Sequence, residues 1–363
     1  MKRYKLTSQQ RKMLLFWFCF VSFAAAAFIT SASVYLIADK KNEQLSWDYY
    51  FTEADTYTEA EIAASANAAK LTTGTYVERL DSVDIKNSKY AVTFKCWFNW
   101  SGFDDLDMEH RFELYEGTIK NIVKKDEHRE NGNNYQLFEV TADVSKEFGT
   151  KRFPLGSYQL RLYLKPLDNI EHIVLIPDKE NSGINPKLNA AGFSLDRSGT
   201  ALFIHRRSAN TEGAYYKGGG TESYSEVLTA MELKRNSIGL YLKCIIALIG
   251  TGIWALITLY ICAHHQTDSL GMMPAILIGT VTNLMIGANL VPDALHTGLL
   301  EFINVWGIYT VLIATVLIVV INRIRSKYNE SGFAEFFGKI LFYTVLITTV
   351  LGHIILPLSA FQF

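Results

Sequence analysis

The sequence is poor in the residues that build disulfide-bonded, metal-binding and catalytic sites. Only four of its 363 residues are cysteines, and they are spread over three apolar stretches and one strand-like run: Cys19, Cys244, Cys262 and Cys96. This spacing indicates neither a disulfide pair nor a metal-binding cluster. No C-x-x-C or H-E-x-x-H motif, phosphate-binding loop or nucleophile–base pair stands out in the sequence. We therefore expect no enzyme activity, no cofactor and no bound metal.

An excess of charge of one sign is also missing. Lys and Arg together number 35, and Asp and Glu together number 36. Proteins that bind nucleic acid usually carry a basic excess, so we expect no nucleic-acid partner. The hydrophobic residues, 49% of the total, are concentrated in the first forty residues and the last third of the chain. This distribution predicts membrane-spanning segments on both sides of a more polar domain.

The first apolar run covers residues 13–38 and is longer than the roughly 20 residues needed to span a bilayer. Basic residues precede it, which places the N-terminus in the cytoplasm. A cleaved signal peptide is the alternative, because the small residues at 31–33 could form a cleavage site. Since the run is long for a signal peptide, we interpret residues 1–39 as a cytoplasmic N-terminus and a retained transmembrane helix. Residues 40–73 are acidic and alanine-rich and predict a helical linker.

Residues 74–237 alternate between β-rich runs and turn signals such as Asn131-Gly132. Many short strands with little helix between them predict a β-sandwich. The predicted strands are 90–100, 111–115, 135–140, 158–164, 172–176, 200–206 and 224–234.

Residues 238–363 predict a four-helix membrane domain with spans at about 238–263, 269–291, 299–321 and 336–358. The connection at 322–327 is basic and is therefore expected in the cytoplasm. This orientation agrees with a cytoplasmic N-terminus. It places the β-rich domain and the C-terminus on the extracytoplasmic side of a multi-pass protein of the cell (inner) membrane.

The second of these four spans carries small and polar residues at helical spacing, so that they share one face. Such a stripe either packs closely on neighbouring helices or lines a wet path, and we favour a pore. Thr280 and Asn283 lie on an adjacent face, so a rotated helix would present a different lining. The stripe, extended by an acidic residue before the helix, consists of Asp268, Gly271, Ala275, Ile278, Thr282, Met285 and Asn289.

The order of these segments resembles a prokaryotic pentameric ligand-gated ion channel of the Cys-loop receptor-like superfamily, over about residues 74–358. Phe153-Pro154 resembles the F-P-F-D loop at the membrane-facing end of that family's sandwich. Arg235-Asn236 resembles the junction of the last strand with the first channel helix, and residues 289–292 resemble the N-x-x-P ending of the pore helix. The chain departs from the family in Leu155-Gly156, in Pro274 within the pore span, and in the additional N-terminal helix.

The resemblance implies an immunoglobulin-like β-sandwich above a four-helix bundle, assembled as a homopentamer in a lipid bilayer. A ring of Asp268 carboxylates would favour permeant cations, and Ile278 and Met285 would form apolar constrictions. A small-molecule or proton ligand would act on the extracytoplasmic domain. The alternative is a non-conducting membrane sensor or scaffold that reuses the fold.

The resemblance also implies two further groups of site residues. A ligand site between sandwiches would include aromatic side chains, although aromatic residues in a sandwich are more often core. Coupling residues would join the sandwich to the membrane helices. The ligand candidates are Tyr215, Tyr216, Trp97 and Trp100, and the coupling candidates are Asp84, Phe153, Pro154, Arg235, Pro292 and Asp293.

Overall fold

The computed structural model describes residues 6–52, 55–188, 192–208, 221–236, 238–288, 297–327 and 330–361. Within these ranges the chain is mixed α+β and divides into two compact units. The described parts of 1–41, 149–156 and 237–363 form a helical unit. The described parts of 42–148 and 157–236 form a strand-rich unit.

Four of the described helices are long and apolar enough to cross a membrane, which indicates a membrane-embedded protein. They are α1 (Ser8–Thr52), α3 (Gly239–His265), α5 (Leu299–Lys327) and α6 (Ser331–Ala360). The helix α4 (Met273–Ala288) is apolar but shorter, and α2 (Glu59–Ala64) is a short polar helix. Residues 40–73, expected to form a linker, contain the last turns of α1, all of α2 and the beginning of the first strand.

Pro274 does not interrupt α4. A 3-10 turn at Leu270–Met272 precedes the helix, and Pro274 is its second residue. In the first turn of a helix the missing N–H of proline costs no intrahelical hydrogen bond. Pro274 therefore lies at the start of α4 rather than inside it, because the helix begins later than the sequence predicts.

The strand-rich unit contains two sheets. In the first sheet the order is β4-β5-β2-β1-β7, with β8 paired to β1, and β1 pairs with β2 antiparallel and with β7 parallel. In the second sheet the order is β3-β6-β10-β9. The strands are β1 (Ala69–Asp84), β2 (Lys89–Ser101), β3 (Phe112–Tyr115), β4 (Gly117–Glu130), β5 (Asn133–Ser145), β6 (Tyr158–Pro166), β7 (Ile173–Pro177), β8 (Gly183–Ile184), β9 (Phe193–Ser208) and β10 (Thr221–Arg235).

Each of the seven predicted strands overlaps a strand of the structure. No strand was predicted at β4, because half of its residues are charged and most are exposed, so that no apolar alternation marks it. The sequence analysis also assigned no bounded strand to β1 (Ala69–Asp84) or to the two-residue β8 (Gly183–Ile184).

Contacts between the two sheets form the core of the strand-rich unit. The Phe112 ring lies 5.3 Å from Phe98 and 5.6 Å from Phe138, and all three side chains are buried. The Tyr90 hydroxyl donates a 2.7 Å hydrogen bond to the Arg161 carbonyl of the other sheet. The two sheets therefore share buried side chains, while the immunoglobulin-like sandwich stays a prediction.

The N-terminal helix α1 packs along α5 within the helical unit. The Phe28 ring lies 5.6 Å from Trp306 and 6.3 Å from Phe302. The Tyr309 hydroxyl donates a 3.2 Å hydrogen bond to the Val21 carbonyl. Because Trp306 and Val21 are fully buried, α1 forms part of the core of this unit.

Candidate functional site

The predicted stripe lies on one exposed side of α4 and of the turn before it. Ile278 and Met285 are each 68% exposed. Val281 is exposed beside them. Asn289 lies outside the described residues. The other stripe residues on this side, Gly271, Ala275 and Thr282, are exposed as well.

The opposite side of α4 packs into the helical unit through polar contacts. The Thr280 hydroxyl lies 3.2 Å from the Thr251 hydroxyl of α3. The Asn283 amide donates a 2.8 Å hydrogen bond to the side-chain oxygen of Asn304 on α5. A side chain at Gly279 would collide with Thr251, so α3 and α4 approach closely there. These contacts set the rotation of α4 so that Thr280 and Asn283 face inward.

The exposed side of α4 mixes large apolar side chains with small and hydroxyl-bearing ones. Large apolar side chains dominate the exposed sides of the neighbouring helices, as expected for surfaces that face lipid. On α4 itself, two of the four described stripe positions carry small or hydroxyl-bearing residues, Ala275 and Thr282. The large exposed residues of α3, α5 and α6 include Ile246, Ile253, Leu312, Val316, Ile347 and Ile354.

Asp268 lies between α3 and α4, and α5 holds its carboxylate. One oxygen accepts a 2.7 Å hydrogen bond from the Asn322 amide of α5 and a 3.0 Å bond from the Leu270 backbone N–H. The Asp268 side chain is exposed at this end of the helices. A fixed, exposed carboxylate there can attract a cation from solution.

Phe153 and Pro154 belong to the segment 149–156, which is part of the helical unit although it connects β5 to β6. Both side chains are buried, and the peptide bond between them is cis. The Lys151 carbonyl accepts a 2.7 Å hydrogen bond from the N–H of Leu299, the first residue of α5.

Asp39 of α1 fixes the same segment by charge. Its carboxylate oxygens lie 3.3 Å from Lys151 Nζ and 3.2 Å from Arg152 Nε. The Arg152 side chain is only 2% exposed, so this ion pair is well shielded from water. The segment is therefore anchored to both α1 and α5.

The remaining coupling candidates make local contacts at strand ends. Asp84 ends β1 and accepts hydrogen bonds from the side chain and backbone of Asn87, which lower the pKa of its carboxyl group. The Arg235 guanidinium at the end of β10 lies 4.4 Å from the Phe193 ring centre. Pro292 and Asp293 lie outside the described residues.

The structure does not bring the two candidate tryptophans together. Trp100 is 2% exposed, belongs to the core and donates a 3.3 Å hydrogen bond to the Phe103 carbonyl. Trp97 points to the other side of β2, packs over Gly74 and donates a 3.1 Å hydrogen bond to Asp178. Tyr215 and Tyr216 lie outside the described residues.

A buried acidic residue of the second sheet, Glu226, was missed by the sequence analysis. Its side chain is fully buried, and neither carboxylate oxygen has a hydrogen-bond partner among the described residues. The nearest oxygen lies 3.8 Å from His205 Nδ1. Burial raises the pKa of Glu226 to about 7, with Lys165 acting to lower it and Glu113 to raise it.

The surroundings of Glu226 hold further charge. Lys165 donates a 2.8 Å hydrogen bond to Glu113, and its ammonium lies 4.4 Å from the centre of the Tyr224 ring. Burial, together with the positive charges of Lys165 and Arg207, lowers the pKa of His205. This cluster can therefore change its charge when a proton binds.

The last turns of α1 cover one side of the second sheet. The residue pattern of the strands did not predict that this side is buried. Trp47 packs against Leu228 and Ala230, and the Arg197 guanidinium lies 4.4 Å from the centre of the Trp47 ring. Phe51 occupies the space that a side chain at Gly199 would need. Both sides of β10 are consequently buried, so buried residues do not alternate with exposed residues along this strand.

Comparison with known proteins adds no family to this picture. No family model matches the sequence, and no curated protein matches it either. An account of function therefore depends on the residues and contacts described above.

Proposed function

We propose that this chain is a subunit of a pentameric ion channel of the ligand-gated type in the cell membrane. In this proposal the β-rich unit is an extracytoplasmic immunoglobulin-like sandwich that senses the stimulus, and α4 lines the pore. The single observation that carries the proposal is the exposed side of α4, where Ala275 and Thr282 share one face with the apolar Ile278 and Met285. Small and polar residues on a membrane helix either pack against neighbouring helices or line a wet path, and within the chain these two lie exposed.

Five copies of α4 around an axis would turn the stripe toward a shared path. Ile278 and Met285 would form two apolar rings able to close the path by dewetting. The Thr282 hydroxyl donates a 2.9 Å hydrogen bond to the Ile278 carbonyl, so its donor is satisfied and its lone pairs remain for water. A ring of Asp268 carboxylates at one mouth would select cations.

Conductance tests the proposal directly. Purified protein in planar bilayers under ionic gradients is expected to pass cation-selective current. Asp268→Asn should shift the reversal potential toward that of an unselective pore, and Ile278→Ala should ease opening. Leu312→Ala, at an exposed apolar position of α5, is the matched control and should leave both properties unchanged.

Thiol labelling tests which side of α4 is wet. Cys19 is the one exposed cysteine among the four, so the background variant is Cys19→Ser. A charged, membrane-impermeant thiol reagent should reduce the current of Thr282→Cys and spare that of Leu312→Cys. Equal effects on both variants would contradict the pore assignment of α4.

A non-conducting sensor or scaffold is the second candidate. The contacts of Trp47 and Phe51 with the second sheet favour it, because α1 is absent from the family that the chain resembles. If neither wild type nor Ile278→Ala passes current in planar bilayers, while both are shown to form folded oligomers, the result would support this candidate over the channel.

A further inference from the structure

A cavity of about 440 Å³ lies among the first turns of α1, the end of α5 and the start of α6. One part of its wall is apolar and includes Met13, Trp17 and Phe333. Another part is polar and includes Gln10, Arg323 and Glu330. Because all three helices are long enough to span a membrane, the cavity lies at an end of the membrane-spanning structure.

Two of the polar groups already satisfy each other. The Gln10 side-chain amide donates a 2.7 Å hydrogen bond to Glu330, and its oxygen accepts a 3.0 Å bond from the Thr7 N–H. The negative charge of Glu330 is therefore engaged on the α1 side of the cavity.

Two donors of the cavity wall are not engaged. The Arg323 guanidinium is exposed, and it has no hydrogen-bond or ion-pair partner among the described residues. The indole N–H of Trp17 likewise has no hydrogen-bond partner in the described part of the chain. A guanidinium group and an indole N–H beside an apolar wall are suited to a ligand with an anionic head group and a hydrocarbon tail.

We propose that this cavity binds one anionic phospholipid of the surrounding bilayer. The phosphate would accept hydrogen bonds from Arg323 and Trp17, and an acyl chain would lie against Met13 and Phe333. Basic pockets between membrane helices bind anionic head groups in this way, and an interfacial tryptophan suits the boundary between head group and tail. The exposed basic residues Arg11 and Lys12 on the adjacent turn of α1 add to the local positive charge. This site does not depend on whether the protein conducts ions.

The test uses the purified full chain in detergent, incubated with phosphatidylglycerol or phosphatidylcholine of identical acyl chains. Native mass spectrometry should show phosphatidylglycerol retained about fivefold better than phosphatidylcholine, the effect of one basic contact to an anionic head group. Arg323→Gln should abolish this preference. Arg11→Gln removes the same charge outside the cavity and should preserve most of it.

A second variant tests the apolar wall. Met13→Trp should fill the cavity and reduce retention of both lipids, with thermal unfolding and oligomer size as checks of the fold. Equal retention of the two lipids by wild type, or a preference that survives Arg323→Gln, would overturn the proposal. Competition by glycerol phosphate as strong as that by the lipid would assign the site to a free phosphate instead and would overturn it as well.

Discussion

Asn283 on α4 donates a 2.8 Å hydrogen bond to Asn304 on α5, and both side chains are buried within the helical unit. Asn304 in turn donates a 2.9 Å hydrogen bond to the Leu300 carbonyl of its own helix. The pair fixes the rotation of α4 and thereby decides which residues of that helix remain exposed.

Removing one partner of this pair should destabilise the helical unit. Asn304→Leu leaves the Asn283 amide without its acceptor in an apolar environment, at a cost of about 1–2 kcal/mol. Thermal unfolding in detergent measures this loss for Asn304→Leu, Asn283→Leu and the double variant. Because both amides are absent in the double variant, its loss should be smaller than the sum of the single losses. If the stability loss of the double variant equals the sum of the two single losses, the hydrogen bond between Asn283 and Asn304 contributes nothing to stability.

Stability should fall with rising pH because of Glu226. Its folded pKa of about 7 lies above the ordinary value of 4.5, so between these values the folded state keeps a proton that the unfolded state has lost. This proton linkage favours folding fully below pH 4.5 and is lost as the pH rises through 7, by about 3 kcal/mol in total.

Glu226→Gln isolates this effect. The variant should unfold at a higher temperature than wild type at pH 8. Its unfolding temperature should also decrease less than that of wild type between pH 5 and pH 8. The exposed Glu130→Gln is the control and should follow the wild-type profile. Parallel profiles for wild type and Glu226→Gln would show that Glu226 does not titrate in this range.

The last turns of α1 should contribute strongly to the strand-rich unit. Trp47 is 7% exposed, and its ring centre lies 4.6 Å from that of Phe51. Trp47→Ala should therefore cost about 3–5 kcal/mol. Tyr49, 59% exposed on the same helix, gives the matched control, and Tyr49→Ala should change stability by less than about 0.5 kcal/mol. Hydrogen exchange of β9 and β10 should increase only in the tryptophan variant.

Gly298 should not tolerate a side chain. A Cβ at this position would lie 2.7 Å from the Lys151 carbonyl oxygen, which bonds the first N–H of α5. Gly298→Ala should displace the segment 149–156 and cost about 1–3 kcal/mol. A Cβ at Gly271 would meet no atom within 4 Å, so Gly271→Ala is expected to unfold like wild type. Equal unfolding temperatures of the two variants would contradict the close approach.

Strong local patterns were enough to predict much of this fold. The apolar runs located the long helices α1, α3, α5 and α6, because length and composition alone decide whether a helix can span a bilayer. Runs of β-forming residues between turn signals located seven strands, but this signal failed for β4, which is rich in exposed charged side chains. The spacing on α4 placed its small and polar residues on one face, since that follows from helical geometry.

Other features depended on contacts between residues far apart in the sequence. The sequence left the rotation of α4 open, and the contacts of Thr280 with Thr251 and of Asn283 with Asn304 decided it. The burial of Glu226 was invisible because Trp47, about 180 residues earlier, belongs to the helix that covers its sheet. Periodicity reports which side chains share a face, whereas only packing determines what lies against that face and which polar groups lose contact with water.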